Sequence, residues 1–503
     1  MAGTDSPAPR IPLDPKEQPI LDKLLAVRGS LELLKQDRGN YVKSEDVIRC
    51  YDQVIEQVEI LNNMRTEKRL EQNRVDYVLD DCLQLISLAF MTVGRTHEAP
   101  ALYAFVSTAK RLLDHLKEAM FYSNKDLESI KLNLSICRQY IERGRETHSP
   151  HLLTLLEARI QLCEQRLAEL QLNLSHLTDD LRPEYEKLVS ILRTLCACNT
   201  RSKFPHEEVD DFLEQLKELQ EKLRAHGIKA FESDGTKEDK LAEMAAKLRL
   251  AIEHPEPEPE ADKLIETLLQ RCFVWISIMK KKEGRIAPNF KKTYDKLLNI
   301  RNQLQKLSLT QAWSMRETDL WGYQRQLDRI DEARVDGNFV DELGRPAELY
   351  EQRTLLYLLR KSYALIYQLL LASEPVSEAL KPIYNQLSTL KRCLTEVKNL
   401  GGVSHPRELW PYSMKLTSID DMRVDGKFMI GNDIPEGQGS VIQLLEECFQ
   451  LVYDLRMEAE ERAAEERGNS SGSESDAKVE LKKDDLGSAA SEASETSDER
   501  QTV

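Results

Sequence analysis

Twenty residues of this chain occur twice with little change. LWGYQRQLDRIDEARVDGNF starts at Leu320, LWPYSMKLTSIDDMRVDGKF starts at Leu409, and 11 of the 20 positions are identical without a gap. Leu, Trp, Tyr, Leu and Ile return at steps of three and four, the spacing that lays apolar side chains along one stripe of a helix. The closing hexapeptides, RVDGNF and RVDGKF, read as the ends of those helices. Gly337 and Gly426 suit the left-handed turn that closes a helix, and Phe339 and Phe428 are placed to fold back onto its last turn. A helix duplicated together with its ending points to a repeat protein.

The likeness spreads outward from this pair. Upstream, YDKLLNIRNQL from Tyr294 matches YNQLSTLKRCL from Tyr384; downstream, LLRKSYALIYQL from Leu358 matches LLEECFQLVYDL from Leu444. The first of these helices also reads as LDKLLAVRGSL from Leu21, YAFVSTAKRLL from Tyr103 and YEKLVSILRTL from Tyr185. The third reads as VLDDCLQLISLA from Val78, LLEARIQLCEQR from Leu155 and LLQRCFVWISIM from Leu268. The five starts are 82, 82, 109 and 90 residues apart. A proline (Pro19, Pro100, Pro183, Pro288, Pro382) stands near each start, where a first helical turn tolerates it. The second helices close at Asn62-Asn63, Gly144, Gly227, Gly337 and Gly426, residue types that accept positive φ. Ser314-Met-Arg-Glu317 matches a capping box, and Ser149-Pro150 an N-cap followed by Pro.

The reading is therefore all-α: about five three-helix units in tandem, as a solenoid or a row of helical bundles. After an N-terminal disordered arm, 1–18, the units span 19–99, 100–181, 182–286, 287–380 and 381–456. The long third unit carries an insertion, 229–260, that includes the spacer HPEPEPE. Residues 457–503 follow as an acidic, Ser-rich tail without aromatics. That composition cannot bury enough apolar surface to offset ordering its backbone. The tail holds 14 acidic and 6 basic residues, a net of −8, which is half of the chain's −16. The remaining body is only mildly acidic and exerts no general attraction for nucleic acid.

No apolar run approaches the ~20 residues of a membrane span, and MAGTDSPAPR lacks the apolar core of a secretory signal. Cytoplasm, with the nucleus as a further compartment, is the expected location. Cys50, Cys82, Cys137, Cys163, Cys272 and Cys448 sit among helix-patterned residues as small buried thiols. Cys196 and Cys198 form the one close pair, and no second pair stands at zinc spacing. Walker A, GxGxxG, nucleophile-elbow and HExxH motifs are all missing. We expect no enzyme activity, no cofactor and no metal.

Three groups of residues remain as sites. Trp321, Arg334 and Asp336 recur as Trp410, Arg423 and Asp425 in the last two units alone, and Trp and Arg are the anchors protein interfaces favour. Lys280, Lys281, Lys282, Arg285, Lys291 and Lys292 form the one dense basic island, a candidate for anions. The loop Pro435-Glu-Gly437-Gln-Gly439-Ser440, at a helix start, is a weaker one. Ser471, Ser473 and Thr496 each precede an acid by three residues, the pattern an acidophilic kinase takes. The expected function is a non-enzymatic scaffold or adaptor that binds a protein partner along an extended face. The alternatives are a binder of a phosphorylated small ligand or other anion, and a regulatory protein acting in the nucleus.

The stretch DLWGYQRQLDRIDEARVDGNFVDELGRPAELYEQRTLLYLLRKSYALIYQLL, with PRELWPYSMKLTSIDDMRVDGKF, resembles a conserved fungal family of uncharacterised, all-helical proteins defined by a domain of unknown function. The resemblance covers residues from about 20 to 456. It implies a cytoplasmic or nuclear protein without assigned activity, and it brings no catalytic residues.

Overall fold

The computed structural model describes residues 13–65, 72–225 and 261–471, and the statements below concern these residues. The chain is all-α. Fifteen helices run in order: α1 Gln18–Gln36, α2 Ser44–Met64, α3 Arg74–Thr92, α4 Leu102–Ala119, α5 Asn124–Arg143, α6 Pro150–Ser175, α7 Arg182–Cys198 and α8 His206–Ala225. They continue with α9 Ala261–Lys282, α10 Pro288–Ser314, α11 Leu320–Glu332, α12 Leu349–Leu371, α13 Lys381–Asn399, α14 Trp410–Asp420 and α15 Gln438–Ser471. A two-residue hairpin, β1 Arg423–Val424 and β2 Lys427–Phe428, follows α14.

Local chemistry sets the starts. Prolines occupy the first turns of α1, α7, α10 and α13, and Pro100 lies in the 3-10 turn that leads into α4. Asn73 and Asp76 satisfy each other's amides at the start of α3, and Ser123 and Asp126 do so for α5. Ser149 does precede α6, but its hydroxyl is buried without a bonding partner. The box expected at Ser314 lies elsewhere: α10 runs to Ser314, and Asp319 accepts from the Arg316 amide instead.

In each successive set of three helices the first packs on the third: α1 on α3, α4 on α6, α7 on α9, α10 on α12 and α13 on α15. The sets are not stacked in line. α4 packs broadly against α12, bridging segments more than 200 residues apart, and α3 meets α4, α11 and the turn at Glu317–Asp319. This differs from a solenoid, in which each unit meets only its neighbours. The cause is legible in α3 and α12, whose apolar residues spread beyond a single stripe and must be covered on several sides. Fourteen of the nineteen residues of α3 and fifteen of the twenty-three of α12 are buried.

Helices α1 to α12 share one hydrophobic core. The last three helices enclose a separate one around Leu387, Leu394, Leu416, Val441, Cys448 and Leu455. The two bodies meet at Val376-Ser377, where backbone touches backbone. Gly94 (φ 88°) and Gly437 (φ 92°) approach this dipeptide so closely that a Cβ at either would lie 2.6–2.9 Å from main-chain atoms. The Ser377 amide donates to the Glu436 carbonyl at 3.1 Å, and the Glu378 amide donates to the Thr92 carbonyl at 3.0 Å. Arg95 reaches Glu436 at 2.9 Å, and buried Arg316 pairs with Glu378 while donating to the Asn40 carbonyl at 2.7 Å. The Gly437 loop, weighed above as an anion cradle, is thus a close-packing contact.

Several boundaries move. The arm expected over 1–18 includes ordered residues: Pro15–Glu17 form a 3-10 turn, and buried Glu17 pairs with Arg65 at 2.8 Å. The boundary expected at 457 falls inside a helix. α15 continues to Ser471, with Ala459 buried and Arg462 donating to the Gly401 carbonyl at 2.8 Å. Gly144 closes α5 at φ −82°, with no left-handed turn, and Asn62-Asn63 lie inside α2. Gly227 and the insertion 229–260 lie outside the described residues.

Candidate functional site

The duplicated hexapeptides do not end helices. α11 stops at Glu332 and α14 at Asp420, and each hexapeptide then forms a β-hairpin of its own. Asp336 and Gly337 have φ of 49° and 77°, and Asp425 and Gly426 have 51° and 77°. Two consecutive positive φ values are the type I′ turn, for which Asp-Gly is a preferred pair. Val335 and Asn338 exchange hydrogen bonds of 3.0 and 2.8 Å in the first hairpin, and Val424 faces Lys427 in the second. A glutamine from the following helix clamps each turn. Gln352 accepts from the Phe339 amide at 2.9 Å and donates to the Gly337 carbonyl at 2.9 Å. Gln438 accepts from the Phe428 amide at 2.9 Å and donates to the Phe428 carbonyl at 2.7 Å.

The two copies differ in what surrounds them. In both, the hexapeptide Arg pairs with the Asp three residues earlier: Arg334 with Asp331 at 2.6 Å, Arg423 with Asp420 at 3.1 Å. The first pair is buried by α4, from which Glu118 also binds Arg334, His115 contacts Asp331 at 3.1 Å and Arg111 does so at 3.1 Å. Trp321 is packed against the core with Lys35 of α1 over its ring at 5.1 Å. No described residue covers the second copy in this way. Trp410 is 65% exposed, and Met414, one turn on, is 59% exposed. Among the described residues, ten of the 21 exposed large apolar side chains lie between Trp410 and Met457. They include Phe449, Tyr453 and Met457, which fall on one face of α15. Asp336 and Asp425 are turn residues held at positive φ.

A charged cleft of about 420 Å³ lies beside the first copy, between α3, α4, α6 and α11. Its charges neutralise one another. Arg159 meets Asp80 at 2.9 Å, Arg111 lies 3.5 Å from Glu332, and the Tyr363 hydroxyl donates to Asp328 at 2.6 Å. Burial pushes the Asp328 and Glu332 carboxyls up, against the opposing charge of Arg111. Asp81, next to this cleft, is pushed up to about 6 by burial, although Arg325 at 2.7 Å and Arg28 at 3.1 Å oppose it. A carboxyl harder to ionise folded than unfolded favours folding while protonated. That contribution is complete below about pH 4 and is lost as pH rises through the folded value. Asp81→Asn should therefore remove a decline in stability of up to about 3 kcal/mol between acid and neutral pH. Urea denaturation of both proteins across that range measures it, and parallel curves would refute the assignment.

The basic island is largely committed to neighbours. Lys280 pairs with Asp210, Lys282 lies 3.1 Å from Glu348, Arg285 2.8 Å from Glu283 and Lys291 3.0 Å from Asp295. Lys281 and Lys292 are exposed. Ser471 is the last residue of α15, whereas Ser473 and Thr496 lie outside the described residues. All nine cysteines are free and eight are buried, Cys196 and Cys198 among them. Sequence reasoning missed the cover that α1 and α4 give the first copy, because those contacts join residues more than 200 positions apart.

Comparison with known proteins places these features. A CUB1 family protein of Schizosaccharomyces pombe is 36% identical over 471 residues, covering 92% of this chain and 97% of that protein. The Cu(2+) suppressing and bleomycin sensitive protein 1 of Saccharomyces cerevisiae is 35% identical over 504 residues, covering 89% of this chain and 91% of that protein. A family described as a protein of unknown function, DUF2408, matches residues 174–317. No solved structure matches. Identity sustained over nearly the whole of both fungal relatives establishes that this chain belongs to the CUB1 family.

Proposed function

We propose that the protein is a non-enzymatic adaptor whose last three helices dock a helical segment of a partner protein. The observation that carries this reading is the unequal surroundings of the two copies. In the first, Trp321 and Arg334 are covered by α1 and α4, which lay Lys35 on the indole and offer Glu118 to the guanidinium. In the second, Trp410 and the face beside it are left bare by the described residues. The occupant that fits is therefore an amphipathic helix that lays an apolar stripe along Met414 and Trp410. It would carry a basic residue for the indole and an acidic one for Arg423. Trp, Met and Arg gathered on an exposed face are the residues interfaces use as anchors. Free, buried thiols suit a reducing compartment, so we place this work in the cytoplasm or nucleus.

Trp410→Glu with Met414→Glu tests the reading. Both side chains point into solvent, so the double variant should melt within a degree or two of the wild type. It should lose a stoichiometric protein that the wild type retains from native extract. Capture of the same proteins by both forms refutes docking at Trp410. Sedimentation showing a wild-type dimer that the variant abolishes would assign the face to a second copy instead.

A further inference from the structure

Within the larger body, a cavity of about 400 Å³ opens between the end of α4, α6, α9, α12 and the Asp336-Gly337 hairpin. Leu170, Leu264, Leu268 and Leu356 give it apolar walls, and Arg271 and Arg353 line it with charge. Arg271 is 5% exposed. Its Nη1 donates to the Met120 carbonyl at 3.2 Å, and Nη1 of Arg353 donates to the Ala119 carbonyl at 3.0 Å. These carbonyls end α4, where the chain turns left-handed at Met120 (φ 56°), and a helix C-terminus attracts cations.

Capping α4 does not exhaust either guanidinium. Arg271 Nε and Arg353 Nη2 are buried without an acceptor. Of the two acids that line the cavity, Glu118 is engaged by Arg334, and Asp336 is an exposed residue of the hairpin turn. A buried cation and a half-buried one on the same cavity, each with an unfilled donor, form an incomplete site, because a charge taken out of water is normally paired. Burial, and after it the charge of Arg353, pulls Arg271 down to about 9.

We propose that this cavity binds an amphiphilic small molecule whose anionic head, a carboxylate or a phosphate, sits between Arg271 and Arg353 and whose apolar body lies against the leucines. The volume is that of a small-molecule pocket, and such pockets combine apolar walls with a few convergent polar groups. The planar donor edges of two arginines suit the paired oxygens of either head. This site shares no residue with the docking face at Trp410 and does not depend on it.

Titration of the full-length chain with decanoate, decyl phosphate and inorganic phosphate, followed by calorimetry and thermal shift, tests the proposal. Both amphiphiles, or the one whose head fits, should bind saturably and raise the melting temperature, and inorganic phosphate should do so more weakly. Arg271→Met with Arg353→Met should weaken the amphiphile by at least about 100-fold, the worth of two charge-assisted hydrogen bonds. Leu264→Trp keeps both arginines and fills the space, so it should abolish binding too, and it decides the matter if the double variant does not fold. Absence of saturable binding by either amphiphile overturns the proposal, as does wild-type affinity in either folded variant.

Discussion

Replacing Asp331 with Ala should cost the fold about 3–5 kcal/mol, the usual penalty for removing one partner of a buried ion pair. Asp331 is 8% exposed and serves three donors at once: His115 at 3.1 Å, Arg111 at 3.1 Å and Arg334 at 2.6 Å. Burial alone would raise its carboxyl. The His115 hydrogen bond and charge, with Arg334 and Arg111 behind them, instead hold it well below the usual carboxylate range. A depressed value contributes stability that is present above the unfolded value and lost as pH falls through the folded one. The carboxylate's share of the pairing is therefore complete above about pH 4 and is lost only in strong acid. Truncation would leave two guanidiniums and an imidazole facing a void between α4 and α11. Asp420→Ala, the matching change in the last three helices, should cost under about 1 kcal/mol because its pair is open to water. Chemical denaturation gives both values, and equal costs would show that α4 is not what makes the first pair count.

Gly437→Ala should cost about 4 kcal/mol, from a strained backbone and an overpacked contact together. The residue sits at φ 92°, and an added Cβ would lie 2.7 Å from Val376 Cα and 2.8 Å from the Pro375 carbonyl oxygen. Backbone cannot yield as a flexible side chain does, so the contact between the two bodies has to open. Scanning calorimetry should then resolve an early transition for the last three helices and leave the main one close to its original temperature. Gly439→Ala, which meets nothing within 4 Å, is the matched control. A single unshifted transition in Gly437→Ala would contradict the packing described at Val376-Ser377.

Helix positions were legible because the cues are local. Prolines in the first turns of α1, α7, α10 and α13, and apolar stripes behind them, mark starts and faces without reference to the rest of the chain. What the cues mean depends on context that lies outside the local sequence. Asp336-Gly337 and Asp425-Gly426 are strong hairpin signals, yet beside a helix the same pair also reads as a cap. Trp321 and Trp410 sit in nearly the same local sequence. One is covered and the other bare because α1 and α4 come back over the first copy and nothing within the described residues comes back over the second. No window of sequence contains that difference. The same holds for Arg271 and Arg353, which read as ordinary helix residues until α4, α9 and α12 bring them to one cavity. The copying of one unit is a statement about sequence likeness; the packing is of helices wrapped around α3 and α12.

The separate core of α13 to α15 has a mechanical consequence. A load applied at the end of α15 reaches Val376 after crossing a small structure whose core holds fourteen other buried apolar residues. Rupture there spares everything wrapped around α3 and α12. The chain thus contains a weak link in series with a strong one, and the bare indole of Trp410 sits on the weak side.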